Sequence, residues 1–193
     1  MPIKIHPTNN EKLFLKFAYN TFFDNYEEII KSDFWDKPAE YRFIKIRNIF
    51  YIYSELQSYL PNRWVLELLK KSRPPEESFL SEQMFRVIRH LLVHFPIYAT
   101  WGEVWFNKPL INWTNKNSSI DKFFENNKGR NSIKYRIWDS NNRIMSYISI
   151  NFPQAYSTKR IFLKDLVSEK EGVTFFIMLM YKILSVQVEE IKQ

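Results

Sequence analysis

Within the stretch Arg89-His90-Leu91-Leu92-Val93-His94 stand two of the chain's three histidines, beside an arginine. An imidazole titrates near pH 6.5, so it can take or give a proton at neutral pH. A guanidinium stays charged and can grip two oxygens of a phosphate at once. Together they are equipped for proton transfer next to an anion. On a helical wheel at about 100° per residue, Arg86, Arg89, His90, Val93 and His94 share an arc of roughly 140°. These five include no carboxylate, whereas a solvated helix face ordinarily mixes signs and uses Lys and Glu freely. The arc therefore reads as a working surface, suited to meeting an anion and another chain together. The plain alternative is a solvent-facing row whose histidines find local partners. His90 and His94 also stand one turn apart, a metal-ligand spacing. The His-Glu-x-x-His pattern is absent, however, and Glu82, Glu103 or the distant His6 would have to complete such a site. No metal and no cofactor is expected.

The elements that must hold this arc follow from the spacing of apolar residues. The opposite arc of the same helix, with Met84, Val87, Ile88, Leu91 and Leu92 flanked by Phe85 and Phe95, is core. That helix is predicted from about Glu76 to His94, because Pro96 would clash with the Leu92 carbonyl and can donate no backbone hydrogen bond. Before it, Asn9 to about Lys31 forms a first helix, with Thr8 or Asn9 to cap it. A break at Trp35-Asp36-Lys37-Pro38 leads to a second helix from about Ala39 to Tyr59. Pro61 opens a short third one carrying Trp64, Val65, Leu68 and Leu69, which Ser72-Arg73-Pro74-Pro75 ends.

After the arc the pattern changes. Trp101 to Trp113 is aromatic and irregular, a loop packed on the core. A short helix runs from Ser118-Ser119-Ile120-Asp121 to about Asn126. Two β-prone runs, Ser132 to Trp138 and Arg143 to Ile150, flank the turn-rich tetrad Asp139-Ser140-Asn141-Asn142 and predict a β-hairpin. Thr158 to about Val167 reads as another short helix. Gly172 precedes a last helix, Val173 to Ile191, apolar nearly all round through Tyr181 and hence central. The fold class expected is mainly α, a helical bundle with an inserted β-hairpin near residues 132–150. With no internal repeat or linker, 193 residues make one domain.

Bulk composition narrows the partners. Lys and Arg number 28 against 21 Asp and Glu, a formal net charge of +7, which favours polyanions. There is no Cys, so neither a disulfide nor a thiolate nucleophile is possible. No apolar stretch approaches the roughly 20 residues of a membrane span, and the start lacks the pattern of a secretory signal. A soluble, cytoplasmic protein with no membrane partner is expected. Glycine-rich phosphate loops, G-x-S-x-G elbows and dense acidic clusters are absent. Asp24, Glu27 and Glu28 read as a solvated face.

Arg89, the polar His90 and then His94 give Arg-(polar)-x-x-x-His, which resembles the R-x4-6-H motif of the HEPN superfamily (higher eukaryotes and prokaryotes nucleotide-binding domain). The resemblance covers the helical stretch from about Ala39 to Phe95; the hairpin and the segment after His94 are additions to the family's minimal bundle. It implies a helical domain that often dimerises with two such motifs face to face. It further implies a metal-independent endoribonuclease, frequently a toxin with a cognate antitoxin or an antiviral effector. Its catalytic residues would be Arg89, His94 and His90. Such an enzyme cuts RNA by attack of the 2′-hydroxyl on the adjacent phosphorus, a step that needs a base, an acid and cations. Arg89 and His94 lie about 140° apart on one wheel. A homodimer with Val93 near its axis would let each site draw on both helices. Arg86, with Lys134, Arg136 and Arg143 on the hairpin, would bind RNA. Other members of the family only bind nucleotides or serve as scaffolds, and that is the alternative. Trp101, Trp105, Trp113 and Trp138 could stack on bases, but core packing is the favoured reading of all four.

Overall fold

A computed structural model describes residues 8–58, 75–95, 97–113, 119–131, 133–139 and 143–191. Helix α1 (Asn9–Ile29) begins at Thr8, whose Oγ1 accepts from the Glu11 amide at 3.3 Å while the Glu11 carboxylate accepts from the Thr8 amide at 2.6 Å. This reciprocal cap satisfies donors that a helix start leaves open. A 3-10 turn, Ser32–Asp36, then carries the chain into α2 (Ala39–Ser58). The two helices pack side by side, tied by Lys45 Nζ and Glu28 at 2.7 Å. Glu28 is thus part of a tie between helices, while Asp24 and Glu27 are exposed as a solvated face requires. The third helix expected near Pro61 and the stop at Ser72–Pro74 lie outside the described residues.

Helix α3 (Pro75–His94) carries the Arg89–His94 arc and stops at Phe95, as Pro96 demands. Its apolar arc is core: Met84, Val87, Ile88 and Leu91 are fully buried. The segment after it is more ordered than a loop. It holds a 3-10 turn (Trp101–Glu103), the two-residue strand β1 (Trp105–Phe106) and α4 (Lys108–Ile111), which Asn107 caps. Helix α5 (Ser119–Asn127) packs against α3 and α4.

The hairpin is present as β2 (Ile133–Asp139) and β3 (Ile144–Ile150), paired antiparallel from Ile133↔Ile150 to Asp139↔Ile144. Arg143 enters β3 at φ 55, in the left-handed region. Residues 140–142 of the expected turn lie outside the described set.

Two expectations fail beyond the hairpin. Thr158 to Val167 is not one helix: β4 (Ile161–Phe162) pairs antiparallel with β1, and only α6 (Leu163–Leu166) is helical. Gly172 does not precede the last helix but lies inside it, because α7 (Glu169–Ile191) starts earlier. A Cβ at Gly172 would stand 2.6 Å from Val167 Cγ2, so glycine serves there for closeness rather than as a helix boundary. Helix α7 is central as expected. It touches α1, α2 and β3, and Val173, Phe176, Ile177 and Leu184 are buried within it. Mainly helical architecture with a small hairpin is therefore what the chain adopts. No helix among the described residues is long and apolar enough to cross a membrane.

Candidate functional site

The polar arc of α3 is only partly open to water. Helix α5 lies against α3, and the end of α2 flanks it, so the arc becomes one wall of a cavity of about 290 Å³. Helix α3 contributes Glu82, Phe85, Arg86, Arg89, His90 and His94; α2 contributes Tyr53, Ser54 and Gln57; α5 contributes Ser119 and Ile120. Arg89 and His94 sit about 140° apart around their own helix. They nevertheless border the same space, because the opposite walls come from other elements. Val93 is half-buried and does not line it.

The histidines differ. His94 is exposed and His90 is half-buried, with ring centroids 5.0 Å apart and the His90 ring edge-on to Phe95 at 5.5 Å. Burial holds the His90 imidazole below its ordinary 6.5, and the adjacent charges of His94 and Arg89 lower it further. At neutral pH His90 is therefore an uncharged proton acceptor. Tyr53 cannot join it, since complete burial pushes its phenol far above any physiological pH.

The arginines differ too. Arg86 Nη2 meets Glu82 Oε1 at 2.7 Å across one helical turn. The basic arc thus contains a carboxylate after all, one helical turn before the five residues first considered. Arg89 is half-buried, and its Nε has no hydrogen-bond partner among the described residues. Both amide atoms of Gln57 share that condition. Nothing in the sequence singled out Gln57, since a glutamine on an amphipathic helix is ordinary. The i, i+4 spacing of Glu82 and Arg86 was readable.

The metal alternative loses its completing ligands to other work. Glu82 is paired with Arg86, and Glu103 accepts from the Ala99 and Thr100 amides at 3.0 and 3.3 Å. His6 lies outside the described residues. Among those described, no three His, Asp or Glu side chains gather as metal ligands would.

Among the described residues, neither Arg136 nor Arg143 of the hairpin lines the cavity. The backbone register pairs Lys134 with Ser149, Arg136 with Tyr147 and Trp138 with Met145. Arg136, Tyr147 and Arg143 are exposed. Trp101 is buried, and its Nε1 donates to the Val167 carbonyl at 3.4 Å; Arg160 covers the Trp105 ring at 4.4 Å. Those two are structural, as favoured. Trp113 breaks the expectation, being 80% exposed.

A second cavity of about 340 Å³ lies between β3 and the α6–α7 junction, bordered by Tyr147, Lys164, Asp165 and Glu171. Among the described residues that border it there is no histidine and no buried polar atom lacking a partner. Compared with protein-family models, with curated proteins and with solved structures, the chain matches none of them.

Proposed function

We propose that the chain is a metal-independent endoribonuclease of the HEPN type, with the cavity on α3 as its active site. The observation that carries this reading is that Arg89, His90 and His94 line one cavity. Each has a task. His90, neutral through burial, takes the proton from a ribose 2′-hydroxyl. The freed oxygen attacks the adjacent phosphorus, and the bond from phosphorus to the 5′-oxygen breaks. His94 gives its proton to that departing oxygen. Arg89 holds the phosphate and stabilises the charge that develops on it. The products are a 2′,3′-cyclic phosphate and a 5′-hydroxyl, with no metal needed in any step.

The cavity is partly open, and Val93, which does not line it, lies on the same helix. In this reading a second copy packs across Val93 by two-fold symmetry, closing the open side with its own α3. Arg86, Lys134, Arg136 and Arg143 supply positive charge along which the RNA strand runs. A role as toxin or defence effector follows from the same family resemblance, with an antitoxin protein as the partner that would restrain it.

The test compares wild type with Arg89→Ala and His94→Ala on total RNA in EDTA, alongside growth on induced expression. Cleavage by wild type alone supports the reading. Intact RNA with wild type, or equal cleavage by all three, removes it. Light scattering of wild type and Val93→Glu tests the pairing: an active enzyme that is monomeric throughout removes the two-fold arrangement.

A further inference from the structure

Three polar atoms at the cavity have no partner among the described residues: Gln57 Nε2, Gln57 Oε1 and Arg89 Nε. Buried polar atoms are nearly always hydrogen-bonded, so three at one cavity ask for an explanation. A glutamine amide offers a donor beside an acceptor, and an unpartnered one can turn about its terminal torsion without breaking any hydrogen bond. Its natural complement is a planar edge carrying an acceptor beside a donor. Nucleobases have such edges: adenine and cytosine each set a ring nitrogen beside an exocyclic amine, which a glutamine reads in two places at once, and of the two adenine offers the larger ring to the apolar walls.

The surroundings suit a ring. Phe85 is half-buried on the wall and is held by Phe50, stacked at 5.7 Å, and by Tyr53, edge-on at 4.9 Å. Ile120 adds a second apolar surface from α5. The volume of about 290 Å³ stands at the lower edge of the range that holds small ligands, about 300–1,000 Å³. That is room for one nucleotide and not for a duplex.

We propose that this cavity binds an adenine base, with Gln57 as the residue that selects it. Nε2 donates to a ring nitrogen of the base and Oε1 accepts from the exocyclic amine. Arg89 Nε donates to an oxygen of the attached phosphate, which places that phosphate beside His90 and His94. The assignment rests on the RNA-cleaving reading for its biological sense, but base selection is measurable without cleavage.

The experiment titrates the whole protein with 3′-AMP, 3′-GMP, 3′-CMP and 3′-UMP, by calorimetry or NMR. The same is done with the 3′-phosphate of purine riboside, which lacks the exocyclic amine. Wild type is expected to bind 3′-AMP about tenfold or more tightly than the others, the purine riboside included. Gln57→Leu is expected to bind all five alike. Gln57→Glu keeps the length and the acceptor but loses the donor, and should likewise lose the preference. Thermal melts show that both variants fold. No binding, a preference for another base, or an unchanged preference in both variants overturns the proposal. Cutting mixed-sequence RNA separates the two readings. Cleavage without regard to adenine, unaltered in Gln57→Leu, leaves a ribonuclease and ends the assignment of Gln57. Adenine binding through Gln57 with no cleavage leaves the assignment and ends the ribonuclease.

Discussion

Two arginines of this molecule are similarly half-buried and differently employed. Arg42, in the first turn of α2, meets Glu169 with Nε at 3.2 Å and Nη2 at 3.0 Å. Its Nη1 donates to the carbonyls of Lys37 at 2.6 Å and Trp35 at 3.3 Å. Arg89 on α3 leaves its Nε without a partner among the described residues. A guanidinium taken from water ordinarily fills its donors, since an unmade bond costs more than a made one gains. Arg42 obeys that rule and fastens two helices. Arg89 breaks it beside two histidines, where an incoming anion could supply the missing acceptor. The contrast separates an arginine whose donors are spent on the fold from one that leaves a buried donor unspent.

The comparison is most easily broken at Arg89. Arg89→Ala is expected to lower RNA cleavage by about 100-fold, with the melting temperature nearly unchanged. A large loss of stability with little loss of cleavage would reverse the roles of the two arginines. Arg42→Ala should do the opposite. It strands Glu169 and two carbonyls and should cost about 2 kcal/mol of stability. Denaturant melts read this directly, while cleavage per folded molecule stays as in wild type. Gln57→Leu sharpens the contrast with an unusual sign. Removing an amide that has no partner is expected to raise stability by about 1 kcal/mol, measured as a higher denaturation midpoint. A lower midpoint would mean that the amide is satisfied in solution.

The smallest effect is that of pH on His90. Unfolded, this imidazole takes a proton at its ordinary 6.5; folded, it does so only at a lower pH. The unfolded chain therefore binds more protons between those two values, and stability falls as pH drops through 6.5 towards the folded value. Above 6.5 the contribution of neutral His90 is complete. His94, Arg89 and Glu82 share its cavity. The check is accordingly the difference between wild type and His90→Gln, melted from pH 8 to pH 5. Wild type should lose more than the variant on the acid side, and equal losses would remove the burial argument.

Much of this frame was legible in the residues. Thr8 is one of two cap candidates for α1 and is the one used, and the proline after Phe95 marks where α3 must end or bend. The two β-prone runs around the turn-rich tetrad that begins at Asp139 mark the hairpin. What escaped was set by distant neighbours. Ile161 and Phe162 become a strand only because Trp105 and Phe106 lie beside them, and two-residue strands leave no periodicity to read. Gly172 looks like a boundary until Val167 occupies the space its side chain would need. The arc of α3 is marked out by its residue types, and four of its five residues line a cavity, but the opposite wall was not legible. Gln57 and Ile120 come to it through packing, and nothing about their own stretches marks them.

The bond between Arg42 and Glu169 has a consequence in time as well as in space. Its partners are 127 residues apart. A ribosome adding about 5–20 residues per second would deliver the carboxylate roughly 6–25 s after the guanidinium. Throughout that interval the first helices have no α7 to pack against, and their apolar faces wait exposed to the cell. The last long helix is thus both the centre of the finished core and its latest arrival. Nascent chains stalled before residue 169 should draw more chaperone than full-length chains released from the ribosome.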